Sequence, residues 1–415
     1  MRIAVIFHRF GPYHCARLKA AARCCDLTAI EIAAETPEYA WSVVKSTEDY
    51  SRLTLFPNGD TRTISAKQIS ERVDNALQSC KPDAVAIPGW SDNAAIAALR
   101  WCTDSRTPAI LMSESTALDK ARFPWREWIK RKIVALHSAA LVGGQRHIDY
   151  LVKLGMPRER IFTGYDVVDN DYFARSATEI GKSKVEIRKQ YNLPENYFLA
   201  TARFIPKKNL TTLIRAYGRY REAVAAGVSP ANTKEMQPTR LPLQDSSLWN
   251  LVLLGDGPLR ETLNSQLSTL NLQDSVLLPG FKQYDKLPVY YGLAKAFVHG
   301  SATEQWGLVV NEAIASSLPV IVSDRCGCVP ELVQDNGFTF DPNKEDELAS
   351  RLFEMASLST EDRHRLEDAS RRIATNFGPE RFGEGLMQAA KLALARPRKT
   401  PPFNRMIVKA LQWIR

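Results

Sequence analysis

The residues best suited to chemistry in this chain cluster in one stretch, His299 to Pro330, which reads HGSATEQWGLVVNEAIASSLPVIVSDRCGCVP. A short apolar run, Ala296-Phe297-Val298, ends in His-Gly-Ser, as a buried strand feeding a loop does. The loop carries Glu304, Trp306 and Gly307. From Leu308 the apolar residues recur at Val309, Ala313 and Ile314 with a helical rhythm, and Leu318 to Val322 reads as the next strand. This strand–loop–helix–strand unit sets Gly307 and the amide of Leu308 at a helix N-terminus. Unsatisfied N–H groups and the helix dipole both attract a phosphate there.

Two carboxylates flank that helix start. Glu304 sits in the loop, and Glu312 lies about one turn inside the helix. A carboxylate accepts two hydroxyl hydrogen bonds, which is what the diol of a ribose or hexose offers. A glutamate at a helix start is more often a plain dipole partner than a ligand. A second constellation follows the strand Phe198 to Ala202: Arg203, then Lys207 and Lys208, ahead of a helix from Leu210. An arginine fork and a lysine point charge in one loop can clamp a diphosphate from two sides, with Lys208 the better partner of the two lysines.

The order Glu304, Gly307, Glu312, Pro319, Pro330-Glu331 resembles the E-x7-E signature of retaining, nucleotide-sugar-dependent glycosyltransferases, most closely those of family 4. The likeness runs through most of the C-terminal half. It implies an α/β protein of GT-B architecture, two Rossmann-like domains facing each other across a deep cleft. It also implies transfer of a sugar from a UDP- or GDP-linked donor to a hydroxyl acceptor, such as a glycan, a lipid-linked saccharide or a small metabolite, with retention. On this reading Glu304, Arg203 and Lys208 are catalytic. Gly307, Leu308 and Glu312 bind the donor. They are joined by Gly257 of a Gly-x-Gly turn, by Phe281 beside the base, and by Gly11 after the first strand. His14, Glu114, Ser115 and Asp169 fall on the acceptor side; Glu114 and Ser115 stand where many members carry a histidine, which this chain lacks. The departing phosphate takes the acceptor's proton. No Asp-x-Asp ends a clear strand, so neither a metal nor another cofactor is expected. The rival reading is an inactive nucleotide-sugar-binding or scaffold subunit of the same fold.

The elements that must position these residues alternate between strand and helix, the mark of parallel sheets. Strands are expected at Ile3–Phe7, Leu27–Ala33, Pro82–Pro88, Pro108–Met112 and Ala139–Gly144, with a turn at Gly11–His14 and a helix from Ala16 to Cys25. A chain of 415 residues suits two such domains. We place them at 1–175 and 196–390, with a linker at 176–195, a polar surface insertion at 227–248 and a basic amphipathic tail at 391–415.

Composition narrows the partners. No apolar run approaches the roughly 20 residues of a membrane span. The seven cysteines are scattered without zinc spacing, which points to a reducing cytoplasm rather than a disulfide framework. A net charge of +9 suits phosphate ligands or an anionic membrane; with no zinc finger or long basic run, nucleic acid is not expected. Two segments mix aromatics with Lys and Arg, 123–136 and 396–415, and either could touch a membrane's inner face. For the first, the alternative is an aromatic face packed on the sheet. For the second, it is a helix that crosses back onto the first domain.

Overall fold

The structure, a computed structural model, describes residues 1–34, 49–57, 64–227, 248–398 and 401–414. It divides into two compact units: Met1–Asp169 with Phe377–Arg415, and Asn170–Asn376.

The first unit holds a seven-stranded sheet, and every pairing in it is parallel. Its strands are β1 (Arg2–Phe7), β2 (Asp26–Ala33), β3 (Ser51–Phe56), β4 (Ala84–Pro88), β5 (Ala109–Ser113), β6 (Ala139–Val142) and β7 (Ile161–Thr163). They run across the sheet in the order β3-β2-β1-β4-β5-β6-β7. The sequences explain the placement: Ile3 to Phe7 and Ala109 to Ser113 are buried throughout, as strands covered by helices on both faces must be.

The second unit holds a six-stranded parallel sheet of β8 (Tyr197–Thr201), β9 (Asn250–Leu254), β10 (Val276–Gly280), β11 (Ala296–His299), β12 (Val320–Ser323) and β13 (Gly337–Phe340). Its order is β10-β9-β8-β11-β12-β13. In each sheet the winding reverses beside the first strand, at β1/β4 and at β8/β11. The carboxyl ends of those strand pairs are where ligands settle in an open α/β sheet. Two such sheets, in two units, are the two-domain GT-B fold.

Three expectations are corrected. The first helix spans Pro12–Ala22, not Ala16–Cys25, because Gly11 caps it in an extended conformation and Pro12 supplies the preset φ of its first turn. Residues 176–195 are not a linker. The helices Asn170–Lys182 and Lys184–Tyr191 occupy that region, the first seated by buried Phe173 and Ile180. Phe173 packs edge-on against Tyr284 and Tyr291, contacts with distant residues that no local period reveals. The second domain ends at Asn376, not 390: the helix Pro379–Ala395 puts Phe382, Leu386, Ala389, Ala390 and Ala393 into the core of the first unit.

The tail also belongs to the first unit. The helix Pro402–Ile414 packs on the helices Asn93–Ser105 and Pro124–Val134, with Val408 buried among them. Residues 228–247 of the expected insertion lie outside the described residues. Among the described residues no helix is long and apolar enough to cross a membrane.

Candidate active site

The strongest candidates meet at the carboxyl ends of β8 and β11, the reversal point of the second sheet. After β8 the chain makes a short 3-10 turn, Pro206–Lys208, and after β11 it forms the loop 300–307. The amide of Ala302 donates to the carbonyl of Lys207 at 2.9 Å, which ties the two loops together. Lys208 and Glu304 form an ion pair there, with side chains only 13% and 11% exposed. His299 Nε2 lies 3.4 Å from Glu304 Oε2, and the Ser301 hydroxyl donates to the same oxygen at 3.3 Å.

The electrostatics of this cluster have one sign. Burial opposes a charge on Glu304, but the His299 hydrogen bond and the Lys208 ammonium outweigh it and hold the carboxyl well below the usual range. Burial, helped by the Lys208 charge, lowers the His299 pKa and favours a neutral imidazole. Glu304 is therefore a fixed, ionised acceptor in a low-dielectric pocket. It is too acidic to collect a proton near neutral pH.

The loop that carries Glu304 is held by backbone. Glu304 bridges Cys326 in parallel fashion, Gly327 N–H donates to the Glu304 carbonyl at 3.1 Å, and Cys328 N–H donates to that of Trp306 at 3.2 Å. Trp306 is buried, and its indole N–H donates to Asn311 Oδ1 at 2.8 Å, pinning the loop to the helix Leu308–Ala315. Gly307 caps that helix with φ of 108°, a left-handed value that side chains resist. The turn delivers the Leu308 amide at the helix start, beside Glu304.

Glu312 departs from expectation. It was placed facing the ligand, yet its residue has 0% exposure and it accepts a hydrogen bond from Tyr291 Oη. Tyr291 lies on the helix Leu287–Leu293, and its partnership with Glu312 is a tertiary contact.

Arg203 is exposed just beyond β8. Its loop is set by the Gly-x-Gly turn after β9. A Cβ on Gly255 would fall 1.8 Å from the Ala202 carbonyl oxygen, and one on Gly257 would fall 2.8 Å from that of Phe204. The Phe204 N–H donates to the Asp256 carbonyl at 2.8 Å, and Leu259 N–H donates back to Phe204 at 3.0 Å. Gly257 thus acts on the site through close backbone packing that fixes the Arg203 loop. Phe281 follows β10 and stands 38% exposed, an open ring at the same edge of the sheet.

In the first unit, Gly11 is extended at φ −121°, so no conformational need for glycine exists there. Its N–H donates to His14 Nδ1 at 3.1 Å, so His14 is part of the helix cap. Burial, then the Arg17 charge, lowers the His14 pKa to about 3. Glu114 and Ser115 follow β5. The Ser115 amide donates to Ser113 Oγ at 3.2 Å, while Glu114 hydrogen-bonds the carboxyl of Asp166. Asp166 is fully enclosed and lies 3.8 Å from the buried Arg17. Burial, then the Glu114 charge, pushes the Asp166 carboxyl well above its usual range. Asp169 is half-buried.

Sequence reasoning did not single out His299, Tyr291, Arg17 or Asp166 as site partners. Only His299 had a local signal, as a polar residue ending a buried strand.

Among the described residues no group of three or more His, Cys, Asp or Glu is placed to hold a metal. Lys208 and Arg203, on the loop after β8, and the Leu308 amide at a helix start are groups of the kind that suit a diphosphate, and Glu304 is an anion suited to sugar hydroxyls.

Comparison with known proteins finds relatives for the second unit and for the fold. Residues 183–373, which fall within the second unit, match the family model for glycosyl transferases group 1. The chain is 28% identical over 227 residues to O-antigen chain mannosyltransferase B of Escherichia coli, covering 54% of this chain and 50% of that one. It is 28% identical over 198 residues to the GDP-mannose-dependent alpha-(1-6)-phosphatidylinositol monomannoside mannosyltransferase of Mycobacterium tuberculosis, covering 45% and 44%. The match thus spans half the length of these relatives or less. A glycosyltransferase structure from Rickettsia africae superposes with a TM-score of 0.66 over 94% of this chain and 97% of that one, at 14% identity, which establishes the shared fold.

Proposed function

We propose that the protein is a glycosyltransferase that moves a sugar from a nucleoside diphosphate sugar, UDP- or GDP-linked, to a hydroxyl acceptor with retention of configuration. The observation that carries this reading is the buried Lys208–Glu304–His299 cluster beside the Gly307 helix start, at the reversal point of a sheet whose sequence matches group 1 transferases.

The bond between the anomeric carbon and the diphosphate breaks, and negative charge builds on the departing oxygen. Arg203, Lys208 and the Leu308 amide stabilise that charge, and oriented donors in a desolvated pocket do so most effectively. Lys208 has three N–H donors, so it can keep Glu304 and still reach a phosphate. The acceptor oxygen forms the new bond on the same face, and its proton passes to the departing phosphate, since Glu304 is too acidic to take it. Glu304 holds hydroxyls of the transferred sugar. Phe281 lies against the base, while Glu312, enclosed against Tyr291, takes no part in holding the donor. These cations supply the charge neutralisation, so the reaction is proposed to need no metal.

The first unit is proposed to carry the acceptor through Glu114, Ser115 and Asp169. The two mannosyltransferase relatives favour GDP-mannose as the first donor to test, and a glycan or lipid-linked saccharide as acceptor. Seven free thiols support a reducing compartment such as the cytoplasm.

The test is calorimetric binding of UDP, GDP and ADP, then product analysis with the matching sugar nucleotides, with and without EDTA. One diphosphate binds, and Arg203→Ala weakens it at least tenfold, about 1.4 kcal/mol. Binding without turnover on any acceptor assigns the chain to the inactive-subunit reading. If no nucleotide binds, the transferase reading falls and the scaffold reading takes over.

A further inference from the structure

We propose that the helices Pro124–Val134 and Pro402–Ile414 together form one composite face that docks on an anionic lipid bilayer. The sequence offered these segments as separate candidates; the structure joins them within the first unit.

The helix Pro124–Val134 sends Ile133 and Val134 into the core and tucks Ile129 against it. Its aromatics do the reverse: Phe123 is 47% exposed, Trp125 59% and Trp128 47%. The alternative of an aromatic face packed on the sheet is therefore excluded. On the second helix, Val408 and Asn404 are buried and fix it to the unit, while Phe403 and Met406 stand 52% and 65% exposed. The Trp128 and Phe403 rings meet edge-on with centroids 6.1 Å apart, so the two exposed sets are continuous. Among the described residues, five of the twelve exposed large hydrophobic side chains are thus gathered in one place, whereas scattered single ones are ordinary on a surface.

Cations are interleaved with the rings. Arg126 lies 5.2 Å from the Phe123 centroid and 5.0 Å from that of Trp125. Lys132 lies 5.4 Å from Trp128 and 5.9 Å from Phe403, and Arg131 stands exposed one position before it. Among the described residues no ion pair engages Arg126, Arg131 or Lys132, whereas neighbouring Lys130 is held by Glu127 and Arg405 by Asp104. Exposed aromatics belong at head-group depth and unpaired cations beside lipid phosphates. A helix of 11 residues is too short to span a bilayer but can lie along its surface. Charge complementarity therefore selects an anionic membrane over a neutral one.

The test uses the full chain and contains no nucleotide, so it stands apart from the sugar-transfer reading. Co-sedimentation is measured with vesicles of phosphatidylcholine alone and with phosphatidylglycerol added. The wild type binds the mixed vesicles far better than the neutral ones, and binding falls in high salt. Neutralising the three cations as R126Q/R131Q/K132Q weakens binding about 100-fold, from roughly fivefold per charge. The W125S/W128S variant loses binding while keeping the wild-type circular dichroism and thermal midpoint. Equal binding to both vesicle types, no binding, or binding untouched by either variant overturns the proposal. So does a concentration-dependent dimer that these variants dissolve, which assigns the face to a second copy of the chain.

Discussion

Replacing Lys208 with methionine isolates the central electrostatic argument. The substitution keeps the length and most of the packing of the side chain but removes the cation from a carboxylate that is only 11% exposed. Removing one partner of a buried pair leaves the other charge uncompensated. The lower end of the usual range applies because His299 and Ser301 still contact Glu304, giving a loss of about 3 kcal/mol at pH 7. For a unit of this size that is a fall of about 6–12 °C in the thermal midpoint. The pH dependence has a definite sign. The folded-state pKa of Glu304 is depressed, so its contribution is complete above its ordinary value of 4.5 and is lost as pH falls below that towards the folded value. The gap between wild type and Lys208→Met is therefore full at pH 7 and narrows below about pH 4.5. The double variant K208M/E304Q, which removes both charges, recovers most of the lost stability while binding no sugar nucleotide productively. Thermal melts across pH 4 to 8 decide the matter. If Lys208→Met melts with the wild type at pH 7, or if the double variant is less stable than the single one, the ion pair does not hold this site together.

Other outcomes follow from single features. Arg203→Ala, at an exposed position, changes stability by no more than about 0.5 kcal/mol while weakening nucleotide binding tenfold; urea melts beside calorimetry separate the two. Gly255→Ala drives a Cβ into the Ala202 carbonyl, so it both destabilises the protein, by about 2 kcal/mol or more, and displaces the Arg203 loop, and nucleotide affinity falls with it. Gly307→Ala meets no hard clash but must adopt φ of 108°, at about 1–3 kcal/mol, and lowers turnover more than nucleotide affinity, read as kcat against Kd. The lowered pKa of His14, about 3, means the folded chain refuses a proton that the unfolded chain accepts below about pH 6.5. Its ring resonances stay fixed by NMR from pH 5 to 8, and His14→Gln reduces the loss of stability on acidification through that range.

Much of this was written locally. Arg203, Lys208, Glu304 and Gly307 each follow a short apolar strand, and in a parallel sheet the segment after a strand lies at the binding edge whatever else the chain does. Their residue types then specify the chemistry: a fork, a point charge, an acceptor and a turn. Residues 176–195 misled because charged positions hide a helix seated by Phe173 and Ile180, whose partners Tyr284 and Tyr291 lie more than a hundred residues away. The small residues of Pro379–Ala395 carry no address, so nothing local says which sheet that helix covers.

The sequence by itself determined the alternation of strands and helices, and with it two parallel sheets, their binding edges and the cationic loops, because period and turn chemistry are short-range properties. Only the tertiary structure decided that Glu304 is held by His299 as well as Lys208, that Glu312 lies enclosed against Tyr291, and that the Trp125–Trp128 face stays outside. Each of those outcomes depends on which distant surfaces meet, and burial and charge acquire their energies only after those surfaces have met.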